Sequence, residues 1–287
     1  MNLSIKSICM IAGNELKKWL FNPRIIILLA VMFPIYDNVI EPLNIASRNM
    51  NQPLNILEPV IAVMNSWACV MTLTIVFIVL MSPFPSLKGN ALFSIARMGK
   101  VNWVLGELLF QIISCIVYVV FIIVFIVVQY ANKAFLANGW SLVISDYDDM
   151  FENVSQKIVG TVLPKNITNQ MPPYEAFGMS ILLFLMLLII VCVVLLLGCM
   201  YYKRLVFFSG LITYILVGSG MLLLNTKIKW LFLMAHVNLS QHYSQYFRRY
   251  IFSPYLSFYI TIFITIISIC IVLLRLRKLN VDMVNYW

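Results

Sequence analysis

Between Glu175 and Lys203 the chain reads Ala176-Phe-Gly-Met-Ser-Ile-Leu-Leu-Phe-Leu-Met-Leu-Leu-Ile-Ile-Val-Cys-Val-Val-Leu-Leu-Leu-Gly-Cys-Met-Tyr-Tyr202, with no Lys, Arg, Asp or Glu. As a helix rising ~1.5 Å per residue, this stretch reaches about 40 Å, more than the ~30 Å hydrocarbon core of a bilayer. Four further tracts of comparable length are equally free of charge, at 59–87, 108–132, 205–226 and 250–274. A weaker tract follows Arg24 and holds Pro34 before Asp37 and Glu41. The spans are placed at 24–40, 59–82, 106–130, 176–201, 205–225 and 251–274, and the fold is read as a single all-α integral membrane domain with six transmembrane helices.

Composition agrees. Hydrophobic residues make up 62% of the chain and charged residues only 11%, against ~25% charged in soluble domains, which excludes a soluble fold. The six cysteines lie in apolar or amphipathic stretches. Cys192 and Cys199 share one apolar run and read as packing residues, not as a metal knuckle or a redox pair.

The first residues follow a different pattern. Ile5, Ile8, Cys9, Ala12, Leu16, Trp19 and Leu20 recur at helical spacing, while Lys6, Lys17 and Lys18 take mainly the other side. Residues 1–23 therefore read as an amphipathic interfacial helix ended by Pro23, and they lack the cleavage pattern of a signal peptide. With six spans and both termini cytoplasmic, twelve of the twenty basic residues fall inside, and the net charge of +9 gathers on that face. Five spans give the same basic count, so the positive-inside rule alone leaves both open. Anionic membrane lipid is the natural counter-charge, and no nucleic-acid partner is needed.

Three loops invite a functional reading. The first, 89–101, follows Pro83 and Pro85 and offers Leu92, Phe93 and Ile95 for packing, Arg97 and Lys100 to water, and Gly99 as a helix stop. The second, 131–175, is long and carries Asp146, Asp148, Asp149 and Glu152, read as a solvated acidic surface because the glycine of a calcium loop is missing. The third, 228–249, has an apolar run too short to span, as a re-entrant segment would, and holds His236 and His242, read as surface histidines. Ser219 with His236 is the nearest approach to a hydrolase pair, but small residues at helix contacts explain Ser219 as well. No phosphate-binding loop or zinc-protease pattern occurs in the sequence. The five strong spans hold no charge away from their ends, and Glu107 and Asp37 read as interfacial, which argues against self-powered ion coupling.

In the order of its features the chain resembles a membrane permease subunit of a type-2 ATP-binding cassette (ABC) exporter. The amphipathic helix around Asn14-Glu-Leu-Lys-Lys-Trp-Leu-Phe-Asn-Pro23, six spans, and Arg97-Met-Gly-Lys-Val-Asn-Trp-Val-Leu-Gly106 entering the third span carry the likeness. It implies a surface helix presenting Lys6, Lys17, Lys18 and Trp19. It also implies a coupling helix over 89–101, with Leu92, Phe93, Ile95, Arg97, Met98 and Lys100 meeting an ATPase. The chain itself would then be no enzyme and hold no cofactor. ATP and Mg would reside in cytoplasmic ABC ATPase partners, and a second permease copy or a related permease would complete the exporter in the cell membrane. The expected cargo is amphipathic or hydrophobic, a peptide, lipid or drug, passing Trp67, Phe77 and Tyr118. The competing expectation is a non-transporting immunity or sensor protein that binds a peptide through 131–175.

Overall fold

A computed structural model describes residues 4–85, 95–130, 134–150, 159–244 and 250–276. Among the described residues the fold is all-α apart from one two-residue parallel strand pair and an isolated bridge between Tyr243 and Tyr250. Helix α1 spans Ile5–Leu20, α2 Ile25–Ile35 and α3 Glu41–Met50. Strand β1 covers Leu54–Asn55, and α4 (Glu58–Asn65) and α5 (Trp67–Met81) follow. Helix α6 spans Lys100–Tyr130, β2 Ala134–Phe135 and α7 Leu142–Met150. Two four-residue helices, α8 (Val159–Val162) and α9 (Lys165–Thr168), lead to α10 (Pro173–Met200) and α11 (Arg204–Leu223). The short α12 (Leu233–Val237) precedes α13 (Pro254–Leu276). Among the described residues five helical segments are long and apolar enough to cross a membrane, and a bent pair makes a possible sixth.

Helix α10 is the hub of the bundle. It packs against α4, α5, α6, α11 and α13, and a helix surrounded on all sides needs apolar residues on every face. The outer helices show the opposite arrangement. On α6, Ile112, Ile116, Val120, Val124 and Val128 recur every four residues and are all exposed, a continuous apolar stripe that suits hydrocarbon and not water. At about 46 Å, α6 exceeds the bilayer core and extends beyond it.

The first span is longer than the 24–40 reading. The helix continues past Pro34 through a π-helical turn at Tyr36–Ile40 into α3, a run of 26 residues from Ile25 to Met50. Proline removes the donor to Ala30 O, and at the π-helical turn that follows side chains supply donors to two further carbonyls. The Asn38 amide donates to Pro34 O (2.7 Å) and the Tyr130 hydroxyl to Ile40 O (2.6 Å).

The 59–82 span is broken instead of straight. Helices α4 and α5 meet at Ser66 with a bend of 77°, and Ser66 is extended (φ −78°, ψ 117°). Asn65 is the cause. Its Nδ2 donates to Ile61 O (2.9 Å) and Ser180 Oγ (2.8 Å), while its Oδ1 accepts from Leu239 N (2.9 Å). The side chain thus closes α4 and ties the break to α10 and to the segment after α12.

Candidate functional site

Three regions hold polar groups in organised settings. The first is the foot of α6. Ser4 caps α1 by accepting from Ser7 N (3.4 Å), and Lys17 and Lys18 favour its C-terminal end through the helix dipole. The helix then runs alongside α6, with Ser4 N donating to Asn102 Oδ1 (3.3 Å) and Ile8 and Ile11 against Gly106. A Cβ at Gly106 would lie 2.8 Å from Ile11 Cβ and 3.2 Å from Ile8 O, so this approach requires glycine. Lys6, Lys17 and Lys18 are exposed, whereas Trp19 is buried.

Residues 95–98 form a helical turn, and Gly99 follows with φ +85°, left-handed backbone suited to glycine. Ile95 is buried with Ile11, Trp103, Val104, Leu196 and Val272, and Met98 packs against that cluster. Arg97 is exposed and Lys100 half-buried. Leu92 and Phe93 lie outside the described residues. Nearby, Glu107 is only 1% exposed, which corrects its reading as an interfacial group, because α1 covers the face of α6 that carries it. Among the described residues its Oε2 has no hydrogen-bond partner, nor do Gln111 Oε1, Glu15 Oε2 or Trp19 Nε1.

The second region is a cavity of about 560 Å³ at the α4–α5 break. Its lining mixes the apolar side chains of Val31, Pro34, Ile35 and Trp67 with polar ones from Asn38, Thr72, Asn238 and Gln241. No charged residue lines it among the described ones. Trp67 is 37% exposed on this cavity, but Phe77 and Tyr118 are elsewhere. Their rings pack together in the interior with centroids 4.9 Å apart, and the Tyr118 hydroxyl donates to Leu73 O (2.7 Å).

The third region is the cap at the far end of the bundle. Glu58 is fully buried; it accepts from Ser141 N (2.6 Å), Ser141 Oγ (2.9 Å) and Asn55 N (2.9 Å). The Asn55 amide donates to Ala137 O (2.6 Å) and Gly139 O (3.0 Å). The described parts of 131–175 are therefore bound into the cap. Its acidic cluster is only partly a solvated surface, because Asp148 accepts from Gly160 N (2.6 Å) and Asp149 pairs with Lys165 (3.0 Å). Glu152 lies outside the described residues.

His236 and His242 are buried, 4% and 0% exposed, not surface groups. Trp230 and Phe252 stack with centroids 4.4 Å apart and both contact the two imidazoles. Ser219 does not join them; its hydroxyl donates to Ile215 O (2.8 Å) within α11. The partner is Ser257, which the sequence reading missed for lack of any motif linking α13 to the histidines. Burial lowers both histidines, His242 to about 4 with Lys229 and His236 adding to the shift. A depressed histidine is protonated more readily in the unfolded chain, so stability should fall as pH drops from about 6.5 toward 4. Thermal unfolding across that window measures this, and His242→Gln should flatten the curve.

No protein-family profile, curated protein or solved structure matches the chain.

Proposed function

We propose that the chain is the membrane permease subunit of an ATP-driven ABC exporter, moving an amphipathic or hydrophobic substrate while separate cytoplasmic ATPase subunits bind ATP and Mg. The single observation that carries this reading is the shared core of α1, the 95–98 turn and α6. Ile95 is rooted among Ile11, Trp103 and Val272, while Arg97 is free to face a partner. A loop that only joined two spans would need no such anchorage. Force applied at this turn would reach α6 and α13 directly, as a coupling element requires. Under this reading the α1 end, with Arg24, Arg97, Lys203, Arg204 and Arg275, faces the cytoplasm. A second permease copy or a related permease completes the path.

The test is co-purification from the native membrane. An ATP-hydrolysing subunit is expected with the chain, and Arg97→Glu should reduce its recovery several-fold without lowering the thermal midpoint of the chain. Full activity of the chain with no ATPase bound would overturn the proposal.

The cavity beside Trp67, lined by apolar and uncharged polar side chains, suits an uncharged amphiphile. Trp67→Ala should weaken binding of such a ligand by about 10- to 150-fold, in line with losing ~1.5–3 kcal/mol of aromatic burial. Calorimetric titration of an uncharged amphipathic peptide into the purified chain reads this directly.

A further inference from the structure

The histidine pair can be read by counting hydrogens. His236 Nε2 lies 2.8 Å from Trp230 O, and His242 Nδ1 lies 3.0 Å from Asn238 O. A carbonyl only accepts, so both of these nitrogens carry hydrogen. The remaining ring nitrogens then converge on one hydroxyl: His236 Nδ1 is 2.8 Å and His242 Nε2 2.9 Å from Ser257 Oγ. In the neutral rings both are acceptors, and a serine has one hydrogen to give. Four contacts need four hydrogens, and two neutral histidines with one serine supply three. Switching either tautomer only moves the deficit to a carbonyl. Ser257 is itself fully buried, so bulk water is not at hand to make up the difference.

We propose that His236, Ser257 and His242 form a binding site for one proton, shared between the two rings through the Ser257 hydroxyl. The added proton makes one ring an imidazolium that donates to Ser257 Oγ, while Ser257 donates onward to the other ring. All four contacts are then satisfied. Trp230 and Phe252 pack against both imidazoles, at centroid distances of 5.2–6.3 Å. A second proton would turn two like-charged rings onto one oxygen and leave the Ser257 hydrogen with no acceptor in the bridge.

Opposing charge sets the range in which the site fills. Lys229, on the turn Lys227–Leu231, lies over the Trp230 ring (5.6 Å) and disfavours a cation at His242. Glu175, at the head of α10, is engaged by the Tyr255 hydroxyl (3.4 Å). Arg248 and Arg249 lie outside the described residues. No carboxylate contacts either imidazole among the described residues. With burial acting in the same direction, the proton enters below the usual histidine range, toward the value of about 4 set for His242. Asn238, Ser240 and Gln241 line the cavity from the same segment, and Lys229 Nζ donates to Gln241 Oε1 (2.7 Å). The site therefore adjoins the segment that lines the cavity, and it is independent of the exporter reading.

His236 and His242 are the only histidines in the sequence, which makes the experiment direct. The full chain, with 15N-labelled histidine and no added histidines, is placed in lipid nanodiscs and titrated by NMR from neutral to acidic pH. One proton per chain is expected, taken up in a single step in which both rings shift together, with a midpoint below about 6.5. Two independent titrations, or both rings fully protonated with the fold intact, would overturn the proposal. Ser257→Ala should separate the two titrations, and a folded variant with the rings still shifting as one would count equally against it. Should that variant fail to fold, the unaltered chain's titration still decides.

Discussion

Glu58→Ala should be the most damaging single substitution in the cap, lowering stability by about 1–3 kcal/mol, the cost of leaving buried donors without an acceptor. The carboxylate is the common acceptor for Ser141 N, Ser141 Oγ and Asn55 N, and removing it strands three buried donors at once. It also frees the β1–β2 pair, since Asn55 is the residue that pairs with Phe135 and holds Ala137 O and Gly139 O. The neighbouring variants should fall in order: Glu58→Gln keeps one acceptor oxygen and loses less, and Ser141→Ala removes one hydroxyl contact at about 1 kcal/mol. Thermal unfolding of the detergent-purified chain measures the series, and proteolysis within 134–150 reports whether the cap opens first. A Glu58→Ala midpoint equal to that of the unaltered chain would show that the cap does not depend on this carboxylate.

The second large effect is expected at Gly106. Helix propensity alone says that Gly106→Ala should stabilise α6 by up to about 1 kcal/mol. The packing says the reverse, because the new Cβ would stand 2.8 Å from both Ile11 Cβ and Cγ2. Gly106→Val should lower stability by about 2–3 kcal/mol, and Gly106→Ala by a smaller amount of the same sign. Displacing α1 would also hydrate Glu107 and Gln111, whose buried oxygens have no partners. Protease cleavage within residues 5–20 should therefore accelerate in both variants, and a stabilised Gly106→Ala would show that α1 does not press on α6.

Legibility from sequence tracked how local the cause was. The helix at 173–200 was readable because its central position requires apolar residues all round, and that demand is written on consecutive residues. The amphipathic α1 and the stop at Gly99 were readable for the same reason. The break at Ser66 was not, because it depends on Asn65 finding Ser180 and Leu239, which lie 115 and 174 residues away. The burial of Glu107 was hidden likewise: only the docking of α1 distinguishes a span's covered start from one facing lipid headgroups. Of the three aromatic residues expected along a substrate path, Trp67 reaches the cavity because it sits just past the break. Phe77 and Tyr118 lie deeper, where their rings pack on each other and the Tyr118 hydroxyl reaches Leu73 O. His236, His242 and Ser257 could not be joined by any spacing rule, since two short turns and a distant helix bring them together.

Helix α6 is anchored at both ends, at its foot through the Ile95 cluster with Trp103 and Val104, and at its top through the Tyr130 hydroxyl on Ile40 O. A continuous helix of about 46 Å held in this way can act as a lever. If it pivots near mid-height, a tilt of about 10° carries the foot and the top roughly 4 Å in opposite directions. The top bears on the π-helical turn that continues from Pro34, and Pro34, Asn38 and Val39 border the cavity. A small push on the 95–98 turn would thus arrive at the far side of the bilayer with its direction reversed and its size nearly undiminished.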